Sequence, residues 1–335
     1  MKTIIVLLLS DKEWNHMRIR QGILWIASLT ATATVLAGCG SSDADAGAAG
    51  PAASGGAPLA VVATTPEVAD FVRNIGGSDV TVTQIIKVGV DPHEYEPTPA
   101  DIQAIGAAKV VVKNGVGLEE WLDPTIESAG FKGTVVDSSQ GVALRKGDPG
   151  DEEMAAGDPH IWHNPQNAKI MVGNIEKALA AADAGRAAAF AKNLTDYSAK
   201  LDKLDADNQA AFAKLPAGDR KLVTNHDAFG YYVDRYQLQF VGSVIPSMDT
   251  SAELSAQQLT DLVTKIKATG TKAIFTESSL PPKTAEAIAR QAGVKVVAGE
   301  DALYGDSLGA DGTPQSTYLG AEQHNTQVIV AALAG

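Results

Sequence analysis

The chain has 335 residues and a formal net charge of −13, with 5% aromatic residues, six histidines and a single cysteine. That acidity excludes the basic face on which nucleic-acid binding depends. One cysteine leaves neither an internal disulfide nor a thiolate cluster, so any bound metal has to be held by nitrogen and oxygen.

Residues 1–38 read as a signal region. Met17-Arg18-Ile19-Arg20 is a short positive segment, residues 23–36 form an apolar segment, and Leu36-Ala37-Gly38-Cys39 closes it with small residues. The apolar segment has 14 residues, short of the ~20 that a spanning helix requires. Residues 1–16 fit no signal pattern, which points to Met17 as the start. Leu36–Cys39 has the form of a bacterial lipobox, so Cys39 is expected to be the lipidated first residue of the mature protein, held to the outer face of the cell membrane. Without residues 1–38 the net charge becomes −15. Residues 39–58, small and polar throughout, predict a flexible tether.

Regular patterning then begins. Apolar, β-rich runs at Leu59–Ala63, Val80–Ile86, Val110–Val112 and Thr134–Val136 are separated by stretches of helical spacing, which predicts an α/β lobe with a mostly parallel sheet over residues 59–184. Phe190, Leu194, Tyr197, Leu201, Leu204, Ala211 and Leu215 then recur at intervals of three and four or their sum, with lysines and aspartates between them. This is one long amphipathic helix over residues 185–215, on the order of 45 Å at ~1.5 Å per residue, stiff enough to join two lobes. Runs at Leu222–Thr224, Phe240–Ile245, Ala273–Phe275 and Val294–Val297 predict a second α/β lobe over 216–335, with a cleft between the lobes.

The chemistry lies in the histidines. Asp-Pro-His occurs twice, at Asp91–His93 and Asp158–His160, and His226 follows the predicted strand Leu222–Thr224 directly. Neutral imidazole is the commonest protein ligand for zinc and its neighbours, and Asp-Pro sets a defined turn before each of the first two. Any one of these histidines alone could simply bond a turn. As a set, from strand-end loops of two lobes, they point to a metal held in the cleft. His163, three residues after His160 and followed by Asn164-Pro165 as a helix start, is expected to face the surface, and His324 likewise. Glu277, at the end of Ala273–Thr276, reads as a surface or capping charge or as a partner for a metal-binding histidine, with the first preferred; Asp227 is ambiguous in the same way.

The ordered motifs resemble one family. The lipobox, Asp91-Pro92-His93-Glu94-Tyr95-Glu96-Pro97, Asp158-Pro159-His160-Ile161-Trp162, Asn225-His226-Asp227-Ala228-Phe229 and Leu303-Tyr304-Gly305-Asp306-Ser307-Leu308-Gly309 are similar to those of the metal-binding lipoproteins of zinc and manganese ABC importers, the cluster A-I solute-binding proteins. The resemblance covers essentially the whole mature chain. It implies two lobes joined by one long helix, His93, His160, His226 and Asp306 as metal ligands, and delivery of the metal to an ABC membrane permease driven by a cytoplasmic ATPase. A monomer is expected. Manganese-specialised members commonly carry a carboxylate where this chain has His226. Three nitrogens and one oxygen favour Zn2+ as the cargo, with Mn2+ as the alternative. Many zinc-specific members have a histidine-rich loop before the second Asp-Pro-His, whereas here residues 144–159 are acidic and read as a solvated loop.

Two other functions compete. A zinc hydrolase would keep an open coordination position and a nearby general base, often in His-Glu-x-x-His, and that motif is absent from the sequence. An adhesin role, assigned to some surface lipoproteins of the family, has no aromatic cluster to support it.

Overall fold

The structure, a computed structural model, describes residues 56–146 and 155–335. The signal region, Cys39, most of the tether and the centre of the acidic loop lie outside the described residues.

Alternation along the strands builds the first lobe. Strands β1 (Leu59–Ala63), β2 (Val80–Gln84), β3 (Val110–Lys113) and β4 (Thr134–Asp137) form an all-parallel sheet in the order β2-β1-β3-β4. Successive side chains leave a strand on opposite faces. Val61, Ala63, Val110 and Val112 therefore enter one core, with residues of helices α1 (Pro66–Gly76), α4 (Pro165–Ala182) and α5 (Ala187–Phe212). Val62 and Val111 enter the other, with Ile85, Ile105 of helix α2 (Pro99–Ala107) and Leu122 of helix α3 (Leu122–Ser128). Threonine 65 caps α1 through its hydroxyl, Thr98 and Asp101 form a capping box on α2, and each of these helices starts with proline. Asn164 caps α4 ahead of Pro165 as the sequence predicts.

The second lobe repeats the logic with shorter ladders. Strand β5 (Lys221–Thr224) pairs in parallel with β6 (Gln239–Ser243), and β7 (Ala273–Phe275) with β8 (Lys295–Val297). Leu222, Ala273 and Phe275 face a core shared with helices α6 (Gly230–Tyr236) and α9 (Tyr318–Ala334). Val223 and Ile274 face the opposite one, with helices α7 (Ala256–Thr269) and α8 (Lys283–Ala292). The first lobe is thus one parallel sheet, and the second two parallel strand pairs, each packed between helices.

Helix α5 reaches both cores. Phe190, Tyr197, Leu201 and Leu204 lie in the first lobe's core and Phe212 in the second's. At ~1.5 Å per residue its 26 residues span about 39 Å. The predicted helix over 185–215 is trimmed at both ends. A 3-10 turn, Ala184–Arg186, precedes it, and Pro216 disfavours helical backbone at Leu215, which stays buried beyond the helix end. Asp205 of α5 accepts from Arg235 of α6 through both carboxylate oxygens, with Nε at 2.8 Å from Oδ1, pinning the helix to the second lobe. No helix among the described residues is long and apolar enough to cross a membrane.

Leu201 is fully buried at the centre of this helix. Leu201→Ala is expected to lower unfolding free energy by about 2–5 kcal/mol, read as a lower urea midpoint at unchanged slope; a midpoint within error of wild type would contradict the packing role given to α5.

Candidate metal centre

Every group of the candidate site leaves a sheet at the carboxyl end of its strands. His93 follows β2, His160 ends the long connection after β4, His226 follows β5, and Asp306 comes after β8. In parallel α/β sheets this edge is where ligands bind, because loops there face the cleft. The two Asp-Pro-His segments are the same turn made twice. In each, the aspartate Oδ1 accepts the histidine backbone N–H at 3.0 Å, Asp91 to His93 and Asp158 to His160. The aspartate in front of each histidine therefore fixes the backbone that aims the ring.

Those loops bring four groups together. One ligand atom from each of His93, His160, His226 and Asp306 lies within 4.8 Å of all the others. His93 Nε2 is 3.3 Å from His160 Nε2 and 3.5 Å from Asp306 Oδ2; His160 Nε2 is 3.4 Å from Asp306 Oδ1, and His226 Nε2 is 3.0 Å from Asp306 Oδ2. Two ligand atoms at ~2.0–2.1 Å from a tetrahedral metal stand roughly 3.3 Å apart. These spacings suit such an ion. Both Asp306 oxygens and His226 Nε2 are buried without a hydrogen bond of good geometry, which is costly unless a cation faces them.

The far side of two rings is fixed by carboxylates. His160 Nδ1 lies 2.9 Å from Asp158 Oδ1, and Asp158 Oδ2 accepts from Arg145 Nη1 at 2.8 Å. His226 Nδ1 lies 2.9 Å from Glu277 Oε1, which also accepts the His226 backbone N–H at 3.0 Å. An ionised carboxylate can only accept, so each Nδ1 carries a proton, and in the neutral ring it is Nε2 that holds the lone pair facing the cluster. Gly305 leaves room for this: a Cβ there would sit 2.1 Å from Glu277 Oε2.

Charge is distributed accordingly. Burial pushes Asp306 up, but the charges of His226 and His160, with the close approach of the His226 and His93 rings, outweigh it and hold the carboxyl well below its usual range. Burial pushes His226 down, and the charges of Glu277 and Asp306 reverse that, leaving it well above an ordinary histidine. For His93 the nearby Asp306 carboxylate likewise overcomes burial, leaving it above an ordinary histidine. Burial dominates at His160, which is lowered despite Asp306 and Asp158.

The structure corrects three expectations. His163 is buried, its Nδ1 2.7 Å from Glu322 Oε1 and its ring stacked on Phe229 at 4.5 Å. The connection after His160 is a 3-10 turn, Ile161–His163, whose threefold period turns residues three apart to the same side, so His163 points inward without joining the four-group cluster. His324 is half-buried, with Nε2 3.0 Å from the Ala302 carbonyl oxygen. Glu277 is buried against His226, and the preferred surface reading fails. Asp227 is half-buried, and its backbone N–H donates to the Ser247 carbonyl oxygen at 3.1 Å. Sequence reasoning missed Arg145, Glu67 and Glu322. Only Glu277 carried a usable signal, since it leaves β7 at the ligand edge.

A two-lobed α/β body with a buried cluster of three histidines and an aspartate at facing sheet edges is the form of a substrate-binding protein of an ABC importer, working with a membrane permease and an ATPase rather than as an enzyme. The chain belongs to the family described as zinc-uptake complex component A, periplasmic (ZnuA), whose model matches residues 61–332. It is 35% identical to the zinc-binding protein TroA of Treponema pallidum, over 84% of this chain and 91% of TroA. It is 33% identical to the manganese-binding lipoprotein MntA of Bacillus subtilis, over 94% of this chain and 99% of MntA. The solved structure of the periplasmic zinc-binding protein TroA superposes with a TM-score of 0.76 at 33% identity, covering 83% of this chain and 99% of that one.

Glu67 of α1 is buried near this centre, with Oε1 unpaired. Burial, chiefly, with the charge of Asp306, pushes its carboxyl from 4.5 up to about 8. A carboxyl raised on folding binds more protons folded than unfolded, so it costs stability increasingly as pH rises from about 4.5 to about 8. Glu67→Gln is expected to raise Tm relative to wild type far more at pH 8 than at pH 5; an equal shift at both would contradict this.

Proposed function

We propose that this protein captures zinc through His93, His160, His226 and Asp306, two groups from each lobe, and delivers it to its permease. The observation that carries the reading is the convergence of three imidazole nitrogens and a carboxylate within 4.8 Å of one another, each imidazole 3.0–3.5 Å from an Asp306 oxygen. Relatives bind different metals, zinc in TroA and manganese in MntA. The donor set argues for zinc here. Three nitrogens and one oxygen suit a four-coordinate, borderline-soft ion, whereas manganese prefers more oxygen and a higher coordination number.

One observation favours manganese as the second reading. Both Asp306 oxygens face the histidines, Oδ1 toward His160 and Oδ2 toward His226 and His93, so a bidentate carboxylate would give a five-coordinate site. As a reading of the whole chain, we take residues 59–184 and 216–335 as the lobes, 185–215 as their joint, and Cys39 as the lipid anchor of a monomer.

Competitive titration of chelator-stripped protein with zinc and manganese tests this. One tight zinc site is expected, lost in His226→Ala and Asp306→Ala. Affinity unchanged in either variant would remove that residue from the site, and tighter binding of manganese would favour the second reading. Glu277→Gln is expected to weaken zinc binding about 10–100-fold, because it unsettles the His226 tautomer without removing a ligand. Wild-type affinity in that variant would deny Glu277 its orienting role.

A further inference from the structure

We propose that Ser307 is a positioning residue that sets the rate of metal exchange: its hydroxyl latches the loop carrying His93 across the cleft, and the site opens by release of that loop rather than by separation of the lobes. This rests on the metal-binding reading of His93, His160, His226 and Asp306.

The evidence is an asymmetry between the two sides of the site. On the His160 side, the lobes are bridged repeatedly through buried groups. The Tyr231 hydroxyl of the second lobe donates to the Asp158 carbonyl oxygen at 3.0 Å and accepts from the Arg145 backbone N–H at 3.0 Å. Arg145 also pairs with Asp234 at 2.8 Å. Trp162 Nε1 donates to the Gly305 carbonyl oxygen at 3.2 Å, the Tyr318 hydroxyl donates to the Trp162 carbonyl oxygen at 2.6 Å, and the Tyr318 backbone N–H donates to Asp70 at 3.1 Å. Tyr231 and Tyr318 pack into the first lobe's core besides. Parting the lobes here would strand several buried polar groups together, which is costly.

The His93 side is built differently. Between β2 and α2 the chain has no regular structure, and residues 87–90 are all exposed, including Val88 and Val90. The segment is anchored at its ends within its own lobe, by buried Ile85 and Ile86 before it and by the Tyr95 hydroxyl donating to Asp101 at 2.7 Å after it. Among the described residues its backbone reaches the second lobe through the Gly89 N–H, which donates to Ser307 Oγ at 2.7 Å. Gly89 holds φ +78°, a left-handed backbone that favours glycine. Ser307 is 1% exposed and follows Asp306 directly, so this bond joins the loop of the first ligand to the loop of the fourth. His93 is also the ligand nearest to solvent: its side chain is 8% exposed against at most 1% for the other three, and it lines a cavity of about 480 Å³ with Tyr95, Trp121 and Met248. A segment with few buried contacts opens at lower free energy than the packed body around it. The latch is the contact that opening of this loop must break.

Dissociation from the zinc-loaded full chain, solubilised in detergent and chased with excess chelator in a stopped-flow instrument, tests the proposal on three forms. Ser307→Ala is expected to release zinc on the order of fivefold faster than wild type, as the loss of one net hydrogen bond implies. Tyr231→Phe, which removes the hydroxyl from the opposite side, is expected to release zinc at the wild-type rate. Cobalt(II) serves as the spectroscopic control, and its ligand-field bands are expected to coincide in wild type and Ser307→Ala, because no ligand is altered. A wild-type dissociation rate in Ser307→Ala overturns the latch, and so does an equal or greater acceleration in Tyr231→Phe. Altered cobalt bands in Ser307→Ala would mean that the serine shapes Asp306 itself, and overturn it too. Absence of cobalt bands from wild type would instead defeat the metal-site reading beneath it, before any rate is compared.

Discussion

A carboxylate surrounded by three imidazoles, all four almost wholly out of water, is the constraint on which the rest of this structure depends. Asp306 brings a negative charge into the cleft, where burial opposes it and the histidines restore it. The His93 and His160 rings meet Nε2 to Nε2 at 3.3 Å. They meet because covalent and hydrogen-bonded constraints behind them leave little alternative. Two Asp-Pro-His turns fix the backbone at His93 and His160, and Asp158 and Glu277 accept hydrogen bonds from the Nδ1–H groups of His160 and His226. A cation in the centre would relieve all four groups at once, and the fold's secondary features can be traced to keeping them there.

The supporting scaffold is also electrostatic. Glu277 and Asp158 lie buried behind their histidines, and Asp158 is balanced in turn by Arg145. A second buried pair, His163 with Glu322, sits beneath the site against Phe229. Burial, the larger influence, lowers His163, and the charge and hydrogen bond of Glu322 more than reverse it; burial raises Glu322 against the charge of His163. Such pairs seldom add net stability over apolar packing, but removing one partner strands the other. They make the geometry of the neighbouring elements hard to change piecemeal.

Layering explains how so short a set of loops can be held so closely. Alternate residues of β1 and β3 feed two separate cores, those of β5 and β7 feed two more, and α5 contributes side chains to one core of each lobe. The sheets are therefore clamped on both faces, and their carboxyl ends present loops toward the cleft from fixed positions. Family membership follows from the sequence match over residues 61–332.

Much of this was legible in the sequence. Apolar, β-rich runs, proline after a capping residue, and the apolar spacing from Phe190 onward are local patterns, and the sheets, caps and long helix follow them. The Asp-Pro-His repeat marked two of the four clustered groups for the same reason: a turn and its histidine lie within three residues. Asp306 was reached only through resemblance, since one carboxylate among many carries no local mark. What tertiary structure alone decided were the partnerships between residues distant in the chain. Glu277 meets His226 across 51 positions and His163 meets Glu322 across 159. Whether a polar side chain is buried depends on what the fold places opposite it, which no local period encodes, and so His163 and Glu277 lie inside where the sequence suggested the surface.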